Sequence, residues 1–147
     1  MSDVVYLDNA ATTPLDPRVL EAMLPYLTVH HGNPSSTHRI GRVARAAIDR
    51  AREQVAALVN AHPSQVVFTS GGTEANNQAI KGIASVSGKG SVAIGATEHP
   101  SVAEPAASLQ AAGWQVTVLP VDHDGRLGAS AAESVRSLRP TLVSVMW

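Results

Sequence analysis

Four short apolar runs rich in β-branched residues recur along the chain at a near-constant interval, with helix-like segments between them. They begin near residues 66, 91, 115 and 141: Val66-Val67-Phe68, Ser91–Thr97, Gln115–Pro120 and Thr141–Trp147. Each is short, apolar and bounded by turn formers, so each reads as a buried strand. Helices are expected over about Thr73–Ser87, after Pro100 as far as Ala112, and over about Ala129–Leu138. Gly113 follows the second of these, the usual place for a helix stop, and Pro105 is expected in its first turn, where a missing N–H costs little. Repeated strand–helix units dictate an α/β fold, a mostly parallel sheet with helices on both faces. No sequence repeat underlies the rhythm.

The part before residue 66 reads differently. Tyr6–Pro14 is a short extended arm with a turn of small polar residues. Pro14 and Pro17 frame a helix start with Asp16 as N-cap, and Val19, Leu20, Met23, Leu24 and Leu27 supply its apolar face. The loop from His30 to His38 holds four polar side chains and three histidines in nine residues, more chemistry than a connector needs. From Arg39 to about Val59, Ile40, Val43, Ala44, Ala47, Ile48, Ala51, Val55 and Leu58 recur at helical spacing. Arg42, Arg45, Arg50 and Arg52 are interleaved with Asp49 and Glu53, the pattern of a solvated helix face rather than a nucleic-acid surface. Asn60 and Pro63 end this helix.

Composition narrows the function classes. A net charge of −1 creates no field that would draw in nucleic acid. No apolar stretch approaches the ~20 residues of a membrane span, and Asp3 and Asp8 interrupt anything resembling a signal peptide. A cytoplasmic location is the resulting expectation. The sequence contains no cysteine, which removes disulfides, thiolate metal sites and a cysteine nucleophile from this chain. His30, His31, His38, Glu98 and His99 lack any helical metal-ligand spacing, so no metal site is expected.

In a parallel sheet, ligands lie beyond the carboxyl ends of the strands. Two of those ends carry the most polar turns of the chain, Ser70–Glu74 and Thr97–Ser101. The first passes from strand through Gly71 and Gly72 into a helix. That geometry aims unpaired N–H groups and the positive end of the helix dipole at an anion, with the Thr73 hydroxyl as a further donor. A phosphate cradle and an ordinary turn capped by Ser70 or Thr73 fit this spacing equally well. No Gly-x-Gly-x-x-Gly or Gly-Lys-Ser/Thr pattern is present, so dinucleotide and P-loop readings fail. At the second turn His99 stands at the same rim, where imidazole could lie against a flat heteroaromatic ring or simply cap the next helix.

Four motifs in order now carry a resemblance: Tyr6–Pro14, Gly32-Asn33-Pro34-Ser35-Ser36-x-His38, Ser70-Gly71-Gly72-Thr73-Glu74-x-Asn76-Asn77 and Thr97-Glu98-His99. Together they resemble the cysteine desulfurases of the NifS/IscS type, class V, fold type I enzymes that use pyridoxal 5′-phosphate. The resemblance covers the whole chain. It implies the first part of the large domain of the aspartate-aminotransferase-like fold over residues 16–147, with 1–15 as an arm of the small domain. It also implies that Gly72 and Thr73 bind the cofactor phosphate, and that His99 stacks on the cofactor ring and relays protons. Ala11, Thr12, Asn33 and His38 would line the mouth of the substrate site.

The implied reaction converts L-cysteine to L-alanine and passes sulfur, as a protein persulfide, to an acceptor protein in a homodimeric enzyme. Iron–sulfur cluster assembly is one use of such sulfur. The family pattern continues past Trp147, and four of its groups have no match here. These are the aspartate at the pyridine nitrogen, the lysine that forms the Schiff base, the nucleophilic cysteine and the arginine for the substrate carboxylate. Lys81 and Lys89 belong to no motif and read as surface lysines. The expectation is therefore an N-terminal part that is inactive without the missing C-terminal part. A selenocysteine lyase, another class V aminotransferase, or a non-catalytic dimerising chain would share much of this pattern.

Overall fold

The computed structural model describes residues 5–146, which group into two compact units, one running up to Val67 and the other beginning at Phe68. The second unit holds a parallel sheet of β1 (Ser91–Gly95), β2 (Gln115–Leu119) and β3 (Leu142–Ser144) in the order β2-β1-β3. Along β1 the side chains alternate between two cores, as a pleated strand requires. Val92 and Ile94 join Ile80 and Ala84 of α3 (Gly72–Ser87), Val102, Ala106 and Leu109 of α4 (Pro100–Ala111), and Trp114. Ala93 points the other way and meets Leu119 and Ala131, the latter from α5 (Ala129–Leu138). Helix α4 leads from β1 to β2 over one face, and α5 leads back past β1 to β3 over the other. Opposite directions on opposite faces are what right-handed crossovers demand.

Helix α4 stops where the sequence says it should. Gly113 adopts φ +92°, and the N–H groups of Gly113 and Trp114 donate to the carbonyls of Gln110 and Leu109, at 3.0 Å each. This is a Schellman motif, and its apolar contact is Trp114 against Leu109 within the core.

In the first unit, α1 (Pro17–Thr28) is capped by Asp16, which accepts from Arg18 N–H at 2.8 Å and pairs with the Arg18 guanidinium at 2.7 Å. Helix α2 (Arg39–Leu58) carries the expected solvated face, with Arg45 and Asp49 paired at 3.0 Å. Only Gly41, Ala44 and Ala56 of α2 are buried, and α1 buries no residue. An open apolar groove of about 1100 Å³ is lined by both helices, among them Val19, Met23, Tyr26, Ala47 and Ile48.

Four details differ from the sequence reading. Val66-Val67-Phe68 is not a strand. Val66 is extended (φ −91°, ψ 125°), but its N–H is spent on the Pro63 carbonyl at 3.2 Å and its carbonyl accepts from Arg52. Both of its ladder groups are thus taken locally. Helix α3 has Gly71, not Ser70 or Thr73, as N-cap. Pro105 lies in the second turn of α4, not the first; its missing N–H deprives Ser101 of a helical donor, while its ring is buried. The last strand is shorter than Thr141–Trp147, since β3 covers Leu142–Ser144. Trp147, like residues 1–4, lies outside the described residues.

Candidate functional site

The turn into α3 leaves its donors open. Ala75 is the first residue whose N–H finds a helical acceptor, the Gly71 carbonyl at 3.1 Å, so the N–H groups of Gly72 and Thr73 precede the helical ladder. Gly71 supplies no side-chain cap for them. A Cβ built at Gly71 or Gly72 would meet nothing within 4 Å. Packing within the chain therefore does not demand glycine here, and the absent side chains leave space beside the donors. Two backbone N–H groups, the exposed Thr73 hydroxyl and the helix dipole can together receive a phosphate without a lysine.

Glu74 belongs to the same turn, and its charge is directed elsewhere. Its Oε2 accepts from the Ser70 hydroxyl at 2.6 Å and the Ser70 N–H at 2.7 Å. These two bonds, the hydroxyl's first, hold the carboxyl below the ordinary glutamate range. The clasp also removes Ser70 from the donors available to an anion.

His99 is the N-cap of α4: its Nδ1 accepts from Ser101 N–H at 3.1 Å and lies 2.9 Å from Ser101 Oγ. Ser101 Oγ in turn accepts from Asn76 Nδ2 at 2.8 Å. Asn76 stands one turn beyond Thr73 on α3, so this line ties α3 to the residue that bears the imidazole. The cap role and the rim role are compatible, because capping uses Nδ1 and leaves Nε2. The neighbouring Glu98 accepts from Ser144 Oγ at 3.0 Å, fastening the loop after β1 to the end of β3.

Ala11, Thr12, Asn33 and His38 belong to the first unit. Ala11 and Thr12 form a turn on the Asp8 carbonyl, at 3.1 and 3.5 Å. Asn33 Oδ1 accepts from Ser35 N–H at 2.8 Å, and His38 caps α2 by accepting from Gly41 N–H at 3.3 Å. The loop closes over Gly41, where a Cβ would come within 2.6 Å of the Asn33 carbonyl oxygen. The backbone fits there only with glycine. Sequence reasoning missed the bond between Asn76 and Ser101, whose residues are 25 positions apart; the His-x-Ser spacing of a cap was the only local sign of Ser101. Among the described residues Asp122, His123 and Asp124 are close enough to share a metal, all three exposed, and none belongs to the rim just described.

A family model described as aminotransferase class-V matches residues 5–147. The chain belongs to that family. Among class-V relatives, human cysteine desulfurase is 50% identical over 145 residues, which cover 97% of this chain and 32% of the human protein. Cysteine desulfurase IscS of Dechloromonas aromatica is 47% identical over 148 residues, covering 97% of this chain and 36% of its own. The chain thus spans about a third of the length of the curated relatives it matches. Among solved structures, a NifS-like protein superposes with TM-score 0.85 at 35% identity, over 97% of this chain and 40% of that one. A structure described as SspA in complex with cysteine superposes with TM-score 0.84 at 35% identity, over 95% of this chain and 41% of that one. The α/β architecture expected from the strand rhythm is therefore the class-V, fold type I architecture.

Proposed function

We propose that this chain is the cofactor-holding N-terminal part of a pyridoxal-phosphate-dependent cysteine desulfurase. In that reading L-cysteine loses its sulfur to a protein thiol, which becomes a persulfide, while the carbon takes a proton and leaves as L-alanine. Relatives named cysteine desulfurase at 47–50% identity support the reaction class, and the neighbour solved with cysteine supports the substrate. The observation that carries the assignment to these residues is the line Asn76–Ser101–His99. It joins the open donors of α3 to an imidazole at the sheet rim.

Gly72 and Thr73 bind the phosphate through backbone N–H groups, and the Thr73 hydroxyl adds a third bond. His99 packs against the ring and holds or moves a proton at Nε2. When bound, pyridoxal phosphate supplies an electron-withdrawing ring that stabilises negative charge on the substrate carbon. Ala11, Thr12, Asn33 and His38 line the substrate mouth, with residues 1–15 serving as an arm of the small domain. The lysine that carries the cofactor, the acidic partner of its ring nitrogen, the sulfur-accepting cysteine and the carboxylate-binding arginine come from sequence beyond this chain. The assembled enzyme is a cytoplasmic homodimer that delivers sulfur to an acceptor protein, for instance in iron–sulfur cluster assembly. No helix among the described residues is long and apolar enough to cross a membrane.

The test is His99→Ala in the assembled enzyme. Turnover should fall and the cofactor absorbance should shift while the fold persists. Unchanged turnover and absorbance, with only the loss of about 1 kcal/mol expected for a removed helix cap, would overturn the assignment.

A further inference from the structure

We propose that Ser101 and Asn76 are positioning residues for His99, which they hold at Nδ1 so that Nε2 is the nitrogen presented to cofactor and substrate. This rests on the desulfurase reading above and extends it to two residues that touch neither ligand. A backbone N–H donates in every protonation state, so the bond from Ser101 N–H at 3.1 Å makes Nδ1 an acceptor. The neutral ring then carries its hydrogen on Nε2. Ser101 Oγ accepts from Asn76 Nδ2 at 2.8 Å, which leaves its own hydrogen to aim at Nδ1, 2.9 Å away. Donors arranged in series polarise one another, so Asn76 strengthens the hydroxyl's grip on the ring.

A cap alone does not require this. Capping is complete with the backbone bond. The chain contains its own comparison: His62, Pro63 and Ser64 repeat the same cap, with Ser64 N–H at 3.2 Å and Ser64 Oγ at 2.8 Å from His62 Nδ1. That copy is exposed and local. At His99, by contrast, Ser101 is 7% exposed, the one buried polar side chain among the described residues, and its hydroxyl is gripped from another helix. Because Asn76 rides on α3, the ring is referenced to the helix that bears Gly72 and Thr73. Phosphate donors and imidazole are thus set relative to each other by side-chain bonds as well as by packing.

The test uses the assembled enzyme with Ser101→Ala, Asn76→Ala, their combination, Ser101→Thr, and Ser64→Ala as the matched control. Ser101→Ala should lower kcat about fivefold to tenfold, the factor one net hydrogen bond is worth, with KM for cysteine unchanged. Asn76→Ala should act in the same direction, and the double variant should be no worse than Ser101→Ala, because both break one line. Ser101→Thr, which keeps the hydroxyl, should restore the rate, and Ser64→Ala should alter nothing. In cofactor-free protein, the ¹⁵N resonance of His99 Nδ1 should move toward that of an unbonded imidazole nitrogen in Ser101→Ala, and less so in Asn76→Ala. Folded Ser101→Ala and Asn76→Ala proteins with the wild-type kcat and Nδ1 resonance would overturn the proposal. If His99→Ala still shifted the cofactor absorbance, the desulfurase reading would survive that failure. A silent His99→Ala would instead overturn both. Asn76→Ala keeps the test decisive should Ser101→Ala fail to fold, since Asn76 is only half-buried.

Discussion

Glu74 places a negative charge in the first turn of a helix proposed to receive a phosphate, and the Ser70 clasp is what reconciles the two. Since the bonds from Ser70 depress the Glu74 carboxyl in the folded protein, they contribute fully above the ordinary glutamate value. They are lost as pH falls through the depressed folded value. The Ser70 amide resonance in the assembled enzyme should therefore titrate with a midpoint below that of a free glutamate, and Glu74→Gln should abolish the transition. A midpoint at or above the ordinary value would mean that the clasp does not form in solution. Thr73 gives the second prediction at this scale. Thr73→Val keeps shape and removes one donor to a charged group, so retention of pyridoxal phosphate should weaken by about tenfold or more. Equilibrium dialysis against the cofactor measures this directly, and a smaller change would leave the backbone N–H groups as the whole cradle.

Among the elements, each core layer makes its own stability prediction. Leu119 is 1% exposed and is the largest side chain of the buried cluster it forms with Ala93 and Ala131, against which Leu127 and Val135 pack. Leu119→Ala should cost about 2–5 kcal/mol in denaturant unfolding of the assembled enzyme. Gly113→Ala, which forces a side chain into φ +92°, should cost about 1 kcal/mol by the same measurement. Both elements were legible in the sequence, because short apolar runs bounded by turn formers and a glycine after α4 are local patterns. Val66–Phe68 was not, although it has the composition of a strand. A strand exists only through the partner that bonds it, and here Pro63 and Arg52 occupy the groups of Val66 instead. The candidate site divides in the same way. Gly72, Thr73 and His99 announced themselves as turn chemistry at strand and helix ends, whereas the bond from Asn76 to Ser101 depends on how α3 and α4 pack. Pro105 shows tertiary context prevailing over propensity, since burial of its ring accompanies a lost helical bond in mid-helix.

For the whole molecule, surface left uncovered within each unit decides behaviour. Helix α1 has an apolar face but fully buries no residue of it; Leu27 is 67% exposed. Beyond β3, Val145 and Met146 are half exposed, and β2 and β3 are the edges of the sheet. Apolar surface of this kind beside open strand edges drives association. The purified chain alone should therefore be oligomeric or partly unfolded by light scattering and should bind a hydrophobic dye. Co-expression with a polypeptide carrying the rest of the family pattern should abolish both signs. Chemistry should follow the same division. Lys81 and Lys89 are exposed and belong to neither rim turn, so borohydride with pyridoxal phosphate should fix no stoichiometric adduct on either. With no cysteine to take the sulfur, the chain alone should release no alanine from cysteine, and the completed assembly should. Alanine formed at an enzyme-like rate by the chain and cofactor alone would mean that groups assigned to the rest of the family pattern are already present here.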